Sequence, residues 1–442
     1  MNYGRTLQQI ASLGKEGYLR TRTRGFRRRL SLLRLRLRAR PNRLASRAKF
    51  IAVTGSSGKS TATALLARAL EAHGTVRVQV GFNTEKSISA AIINSSPEDD
   101  YFVTEAAIGK KGDMDGMAKV IRPDVAIVTL IALEHFSAFK TREAIAEEKG
   151  KLVQALSANG IAFLNADDDL VMAMAARTEA RIVTFGRERE ADYRVVSVES
   201  RFPDPLKITI AWGDNVADIA LPLVGEHFWV SVAAAFAAAA ELGGEPETIA
   251  RQLSGIAPLS QRCEPVRTSG GPIFLVDTVK APWHSLPLVL QTMKSVSAPR
   301  KRIVLGQLSD MTNARAKYRD AYRAAREVCD QVIFVGEHSH RSKASEEDRA
   351  SHRFVEKTRV EDACAYIKET AIEGEVILLK SSPRLHLDRI ALAWETEVRC
   401  WSDDCGLMTD CISCGLFDRP FSEHQGIPPR SKFKAAAAPV QE

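Results

Sequence analysis

Aromatic residues are scarce in this chain, at 7% of 442 residues, with few in the basic N-terminal stretch. Single-strand nucleic-acid binding stacks bases on aromatic rings, so the scarcity disfavours a nucleic-acid partner. Cysteine is sparse as well. Of seven, three are scattered and four crowd the C-terminal end, which excludes the disulfide framework of a small secreted domain. No apolar run reaches membrane-spanning length. The most apolar window, FWVSVAAAFAAAAEL from Phe228 to Leu242, falls short of the roughly 20 residues a span requires and predicts a buried helix. The basic start is not followed by a compact apolar run and a small-residue cleavage site, so no signal peptide is legible. Together these absences predict a cytoplasmic protein.

What is present is ordinary in bulk and uneven in distribution. With 45% apolar and 26% charged residues, the chain can build two or three domains with real cores. Residues 1–49 hold 15 Lys/Arg against the single acid Glu16; that segment carries +14 of a net +8, leaving −6 for the rest. Within this arm, GFRRRLSLLRLRLRARPNR predicts a cationic amphipathic helix with arginine stems flanking a leucine stripe. Three readings compete for it: an anionic surface at the inner face of the membrane, a solvated arm or one docked on the body of the protein, and nucleic acid, which the few aromatics disfavour.

From Lys49 the patterning becomes an alternation of strands and helices. KFIAVTG, VRVQVG, DDYFVTEAAIG, RPDVAIVTL, GIAFLNADDD and ARIVTFG read as strands, several ending in polar residues, with helical segments between them. That rhythm predicts a mainly parallel sheet with ligands at the strand C-termini. ADYRVVSVESRFPDPLKITIAWGDNVADIALPL has period two and predicts attached antiparallel hairpins. A second α/β unit follows, with strands PIFLVDTV, KRIVLGQL, QVIFVG and EVILLK. The expected fold class is α/β: a central P-loop mononucleotide-binding domain over 49–257, then a Rossmann-like α/β domain over 258–398. An arm (1–48) precedes them, and a Cys-rich tail (399–442) with a disordered end, SKFKAAAAPVQE, follows.

The stretch FIAVTGSSGKSTATALLARAL holds the first chemistry. A buried strand runs into a glycine turn and a helix, which aims backbone N–H groups at an anion. Thr54, Gly55, Ser56, Ser57, Gly58, Lys59, Ser60 and Thr61 form this loop; Lys59 would reach the outer phosphates and Ser60 would offer its hydroxyl to Mg²⁺. The common phosphate loop has an earlier glycine, and here that position is Val53.

TGSSGKST resembles the T-G-[TS]-x-G-K-[ST]-[ST] loop of the Mur ligase family, ATP-dependent amide ligases of peptidoglycan assembly, which lacks the early glycine. Further segments resemble the family in order along the chain: VTEAAIGKKGDM, IALEHFSAF, AEEKGKL, FLNADDD, SQRCEP, VDTVKAPWHSL and LLKSSPR. The resemblance extends to the D-Ala-D-Ala-adding branch and to shorter Mur-like ligases. It implies ATP and Mg²⁺ as cofactors, Glu105 and His135 as metal-linked residues with Ser60, and Lys149 as a lysine that many members carbamoylate. It also implies Arg262, Asp277 and Lys280 as contacts across the cleft between the two domains. The reaction so implied joins a carboxylate, in a small molecule or cell-wall precursor, to an amine through an acyl phosphate.

The sequence departs from the family at three places. GEHFWVSVAAA keeps Gly225 and His227 but has Phe228 and Ser231 where relatives carry asparagines; VDTVKAPWHSL has lysine and proline where asparagines are usual. The domain of about a hundred residues that binds a UDP-sugar in many members has no counterpart, the arm standing in its place. Two other readings follow: a P-loop ATPase unrelated to ligation, and a nucleotide-binding scaffold recruiting a partner protein through arm and tail.

The tail itself carries Cys400, Cys405, Cys411 and Cys414 in the spacing C-x4-C-x5-C-x2-C. Four thiols within 15 residues of a cytoplasmic chain favour zinc, with an iron–sulfur cluster or reduced thiols as alternatives and His424 as a substitute ligand.

Overall fold

A computed structural model describes residues 14–311 and 313–430. It contains two sheets, each fed by the predicted alternation. The first has nine strands: β1 (Lys49–Thr54), β2 (Val76–Gln79), β3 (Tyr101–Glu105), β4 (Val125–Val128), β5 (Ile161–Asn165), β6 (Arg181–Gly186), β7 (Tyr193–Glu199), β8 (Leu206–Trp212) and β9 (Asn215–Leu221). Their order is β2-β3-β1-β4-β5-β6-β7-β8-β9, parallel through β7 and antiparallel in the β7-β8-β9 meander. The reason is visible in the side chains. Strands β1 and β4 are apolar on both faces and buried, as helix-covered parallel strands must be, whereas β9 alternates exposed and buried residues.

The second sheet has six strands: β10 (Glu264–Arg267), β11 (Ile273–Asp277), β12 (Lys301–Leu305), β13 (Gln331–Val335), β14 (Phe354–Lys357) and β15 (Val376–Lys380). The order is β10-β11-β15-β12-β13-β14, with β10 alone antiparallel. Four of these strands are the predicted ones. The edge strands β10 (EPVR) and β14 (FVEK) carry too few apolar residues to announce themselves in sequence.

The alanine-rich segment is the predicted buried helix, Trp229–Glu241, with every residue from Val230 to Ala239 buried. It packs against the helix Lys59–Leu70 that follows the glycine turn. Small side chains let the two backbones approach, and this pair backs the site described below.

The arm forms a helix, Gly14–Ala45. Its C-terminal part docks on the nine-stranded half. Ala39 is buried, Asn42 Nδ2 donates to Ile93 O at 2.8 Å, and Arg36 pairs with Glu85. Arg43 donates to Ile121 O and Arg122 O, both at 2.7 Å, and its guanidinium lies 3.9 Å from the centre of the Phe50 ring. The intramolecular reading therefore holds for this part, while Leu33, Leu37 and Leu44 remain exposed. The tail packs onto the six-stranded half, where Trp401 and Phe417 join its core. The expected disordered end, SKFKAAAAPVQE, lies outside the described residues. Among the described residues no helix is long and apolar enough to cross a membrane.

Candidate active site

Strand β1 ends at Thr54, and the chain turns through Gly55–Gly58 into the helix that begins at Lys59. Gly58 sits at φ 80°, and a Cβ there would come 2.8 Å from Ser231 Oγ; at Gly55, φ 142°, a Cβ would collide with Thr129 Oγ1. These two positions need glycine for backbone conformation and for space. The turn is anchored from beneath. Thr54 Oγ1 donates to Ala106 O (2.8 Å), Ser56 Oγ to Ala132 O (2.9 Å) and Thr129 Oγ1 to Ser57 O (2.6 Å).

Two lysines converge on a single carbonyl. Lys59 Nζ donates to Gly55 O at 2.6 Å and Lys149 Nζ donates to the same oxygen at 2.8 Å. Lys149 comes from the helix Arg142–Gln154 and is wholly buried; its ammonium also pairs with Glu134 Oε1 at 2.9 Å. Burial pushes the Lys59 ammonium down to about 7, although Glu134 pulls the other way. Burial lowers Lys149 too, against the pull of Glu134. For Glu134, burial opposes ionisation, but the ammonium groups of Lys59, Lys149 and Lys280 together outweigh it and hold the carboxyl down at about 2. The site is thus a cationic pocket with one anion at its centre.

His135 follows Glu134 at φ 48°, a left-handed position at the start of the short helix Phe136–Phe139. Its Nε2 lies 3.8 Å from Glu134 Oε2, and its backbone N donates to Asp310 Oδ1 of the second half at 2.8 Å. Burial lowers the imidazole below its ordinary range.

A second cluster lies on the other side of the lysine. Ser60 Oγ donates to Glu105 Oε2 at 2.6 Å, while Glu105 Oε1 accepts from Gly81 N (2.7 Å) and Asn83 Nδ2 (3.1 Å). Arg262 reaches across from the second half and donates to Ser60 Oγ at 2.8 Å. On the facing wall, Lys380 Nζ pairs with Asp277 Oδ2 at 2.6 Å and donates to Lys280 O at 2.8 Å. His227 is half-buried there, its Nδ1 buried and unpartnered among the described residues, and desolvation pushes its imidazole down to about 4.

The donors fit a nucleotide and a divalent cation. A run of backbone N–H groups opens at a helix N-terminus beside a lysine that donates to a backbone carbonyl, an arrangement ready to exchange that carbonyl for a phosphate. Ser60 hydroxyl beside Glu105 carboxylate is a hard-oxygen pair suited to Mg²⁺.

Of the residues expected from sequence, Ser56 to Thr61, Glu105, Arg262, Asp277 and Lys280 line one cleft between the two halves. Thr54 and Gly55 lie under it. His135 and Lys149 are drawn together by Glu134 and reach the loop through Gly55 O, not through Glu105. Phe228 is buried in the core and also lines the cleft. The four tail cysteines form a separate group. Sequence reasoning passed over Glu134 and Lys380. Glu134 adjoins His135 in the loop that follows β4, and a carboxylate beside the expected histidine was the available signal.

The fold and this geometry agree with what the chain resembles. Residues 53–239 match the model of the Mur ligase middle domain, and residues 261–383 match that of the Mur ligase, glutamate ligase domain. Over 354 residues the chain is 28% identical to a UDP-N-acetylmuramoyl-tripeptide–D-alanyl-D-alanine ligase of Bacillus subtilis, covering 77% of this chain and 75% of that one. Among solved structures, MurF ligase from Thermotoga maritima in complex with ADP superposes with a TM-score of 0.74 at 20% identity, covering 82% of this chain and 83% of the other. Folylpolyglutamate synthase of Mycobacterium tuberculosis superposes at 0.60 and 16% identity, covering 82% of this chain and 94% of the other. With two family models matched in order over most of its length, and with their motifs gathered at one cleft, the chain belongs to the Mur ligase family of ATP-dependent amide ligases.

Proposed function

We propose that the protein joins a carboxylate to an amine in cell-wall or envelope synthesis, with ATP as phosphoryl donor. Its relatives' names point to a muramoyl-peptide carboxylate as one substrate and an amino acid or short peptide as the amine. The carrying observation is the contact of Arg262 with Ser60, which brings the second half onto the phosphate loop. A plain phosphate-loop ATPase has no need of that second half.

In this reading the substrate carboxylate attacks the γ-phosphorus and ADP departs. The amine then attacks the acyl carbon, phosphate leaves, and the nitrogen loses a proton. The first step brings negatively charged oxygens together, and the second develops negative charge on the acyl oxygen and the leaving phosphate, so the site supplies cations. Lys59 leaves Gly55 O for the outer phosphates, and Arg262 reaches the same region from above. Mg²⁺ held by Ser60 and Glu105 would neutralise phosphate charge there, with His135 serving the neighbouring position. Burial, which depresses Lys149, favours the neutral amine that carbamoylation requires; as an unmodified cation the same residue neutralises Glu134. Asp277, Lys280 and Lys380 form the wall that faces the amine.

The arm belongs to the same reading. Its exposed leucines and arginines suit peripheral contact with anionic lipid at the inner membrane face, where membrane-linked cell-wall precursors are assembled.

The test is turnover of ATP by purified protein with Mg²⁺, cell-wall precursors and amino acids, read as ADP and as a new amide by mass spectrometry. ADP that requires both substrate pools, and that Lys59→Ala abolishes, supports ligation. ADP that appears without a carboxylate acceptor identifies an ATPase, and tight binding without turnover identifies a scaffold.

A further inference from the structure

The tail cysteines are not used by the cleft, yet they are not scattered. Cys400, Cys405, Cys411 and Cys414, separated by up to 14 positions in sequence, line one cavity with His386 and Arg389. All four are free thiols, and three of them are buried. Cys405 Sγ lies 3.1 Å from His386 Nε2. The nearest donor atoms of His386, Asp388 and Cys411 lie within 4.8 Å of one another.

The surrounding backbone is built to hold these thiols in place. Arg389, 1% exposed, donates to Cys400 O at 2.5 Å, Ser402 O at 2.8 Å, Leu385 O at 3.1 Å and His386 O at 3.2 Å. Asp388 Oδ2 accepts from Cys411 N at 2.8 Å, Asp410 Oδ1 accepts from Ser413 N at 2.6 Å, and Cys400 N donates to Phe417 O at 3.0 Å. Seven ordered bonds of this kind around a cavity full of thiols would be a poor use of a small domain's interior if the thiols were mere packing.

Charge supplies an independent argument. Every hydrogen bond of Arg389 goes to a carbonyl, and among the described residues it forms no ion pair with a carboxylate. A guanidinium this deeply buried calls for an anion nearby. The neighbouring Asp388 carboxylate accepts from Cys411 N and makes no ion pair with Arg389, and four neutral thiols supply no anion. Four thiolates around a divalent cation carry a net charge of 2−, and Arg389 lines the same cavity.

We propose that Cys400, Cys405, Cys411 and Cys414 bind one zinc ion as a tetrahedral tetrathiolate, balanced by Arg389, with His386 donating a hydrogen bond to the Cys405 thiolate. Binding replaces four S–H protons by Zn–S bonds and releases four protons. The ion gathers the tail, and Arg389 and Asp388, bonded to Cys400 O and Cys411 N, tie that tail to the helix Asp388–Glu395. That helix follows directly on the turn from Lys380, so the metal clasps the segment that carries a wall of the cleft.

The test uses the full chain, purified without a metal-affinity tag from zinc-supplemented cells. Elemental analysis should give about one zinc per chain. Titration with an organomercurial should release one ion per chain as the tail thiols are consumed. Replacement by Co²⁺ should produce the intense thiolate-to-cobalt charge-transfer band of a tetrahedral site. Cys405→Ser and Cys414→Ser should lower metal content severalfold, whereas His386→Ala should keep the full equivalent. Hydrogen exchange over residues 381–416 should accelerate when zinc is withdrawn from the unaltered chain, an experiment that does not depend on any variant folding. The proposal is overturned by zinc below about a tenth of an equivalent with no cobalt charge-transfer band. It is overturned equally by a brown iron–sulfur chromophore in anaerobically purified protein, or by loss of the ion in His386→Ala while a cysteine variant retains it.

Discussion

Glu134→Gln is the most informative single change in the cleft. The carboxylate is 4% exposed, pairs with the buried Lys149 at 2.9 Å and is held ionised by three ammonium groups. Removing one partner of a buried ion pair costs roughly 3–5 kcal/mol. Lys149 retains its bond to Gly55 O, which places the expectation near the lower end, about 3 kcal/mol. A pH dependence follows. Without Glu134 the Lys59 ammonium, already down at about 7, falls further. Each unit of that fall adds about 1.4 kcal/mol of destabilisation well below pH 7 and nothing well above it, where Lys59 is neutral in both proteins. The variant should therefore be worse at pH 6 than at pH 8.5 by about 1 kcal/mol or more. Adding Lys149→Met should recover part of the loss, because a neutral pair no longer strands a charge; the coupling expected is at least about 1.5 kcal/mol. The two halves need not unfold together, so the assay is guanidinium unfolding read by pulsed hydrogen exchange on peptides from β1 and β4. Single variants that each cost under about 0.5 kcal/mol and add without coupling would refute the buried-pair argument.

Other expectations concern the loop and the arm. Lys59→Ala should reduce ATP turnover by at least about a hundredfold with little loss of stability, since it removes phosphate stabilisation from the transition state; steady-state kinetics with an unfolding control checks this. Because burial holds Lys59 at about 7 and a triphosphate would raise it, nucleotide binding should take up close to one proton at pH 8 and little at pH 6. Calorimetry in buffers of different ionisation enthalpy measures that uptake, and equal values at both pH values would count against the assignment. Gly58→Ala should weaken ATP binding at least tenfold, as a left-handed φ of 80° costs a non-glycine residue about 1–2 kcal/mol and the new Cβ presses on Ser231 Oγ; fluorescence titration reads it. Sedimentation with anionic vesicles should carry down the full chain at low salt, and Leu33→Ser with Leu37→Ser should release it; equal binding to neutral vesicles would remove the electrostatic part of the membrane reading.

Much of this architecture was legible in the sequence because its signals are local. A buried strand running into TGSSGKS can hardly be misread, and ten strands announced themselves by apolar runs ending in polar turns. The alanine-rich helix was legible for the same reason. What stayed hidden depends on distant pairings. Glu134 matters because Lys149 comes up under Gly55 from a later helix, and Lys380 because β15 lies beside β11, bringing it to Asp277 across about a hundred residues. The arginine-rich arm showed its helix but not its docking face, since Arg36 and Arg43 find their partners only after the nine-stranded half has formed. His386 precedes the first tail cysteine by fourteen positions, and no spacing rule links an isolated histidine to a later cysteine cluster.

The shared carbonyl of Gly55 has a further consequence, for timing. While Lys59 rests on it, the oxygen serves two ammonium groups; once a triphosphate draws Lys59 away, Lys149 becomes its sole donor and can tighten against it. Lys149 is bonded to Glu134, the next residue is His135, and the backbone of His135 holds Asp310 of the other half. Arrival of ATP is thereby relayed to the second half before the remaining reactants land, which predicts a compulsory sequence of addition with nucleotide first. Initial-rate and product-inhibition patterns decide it: ADP should compete with ATP alone, and a random pattern would show that the relay carries no message.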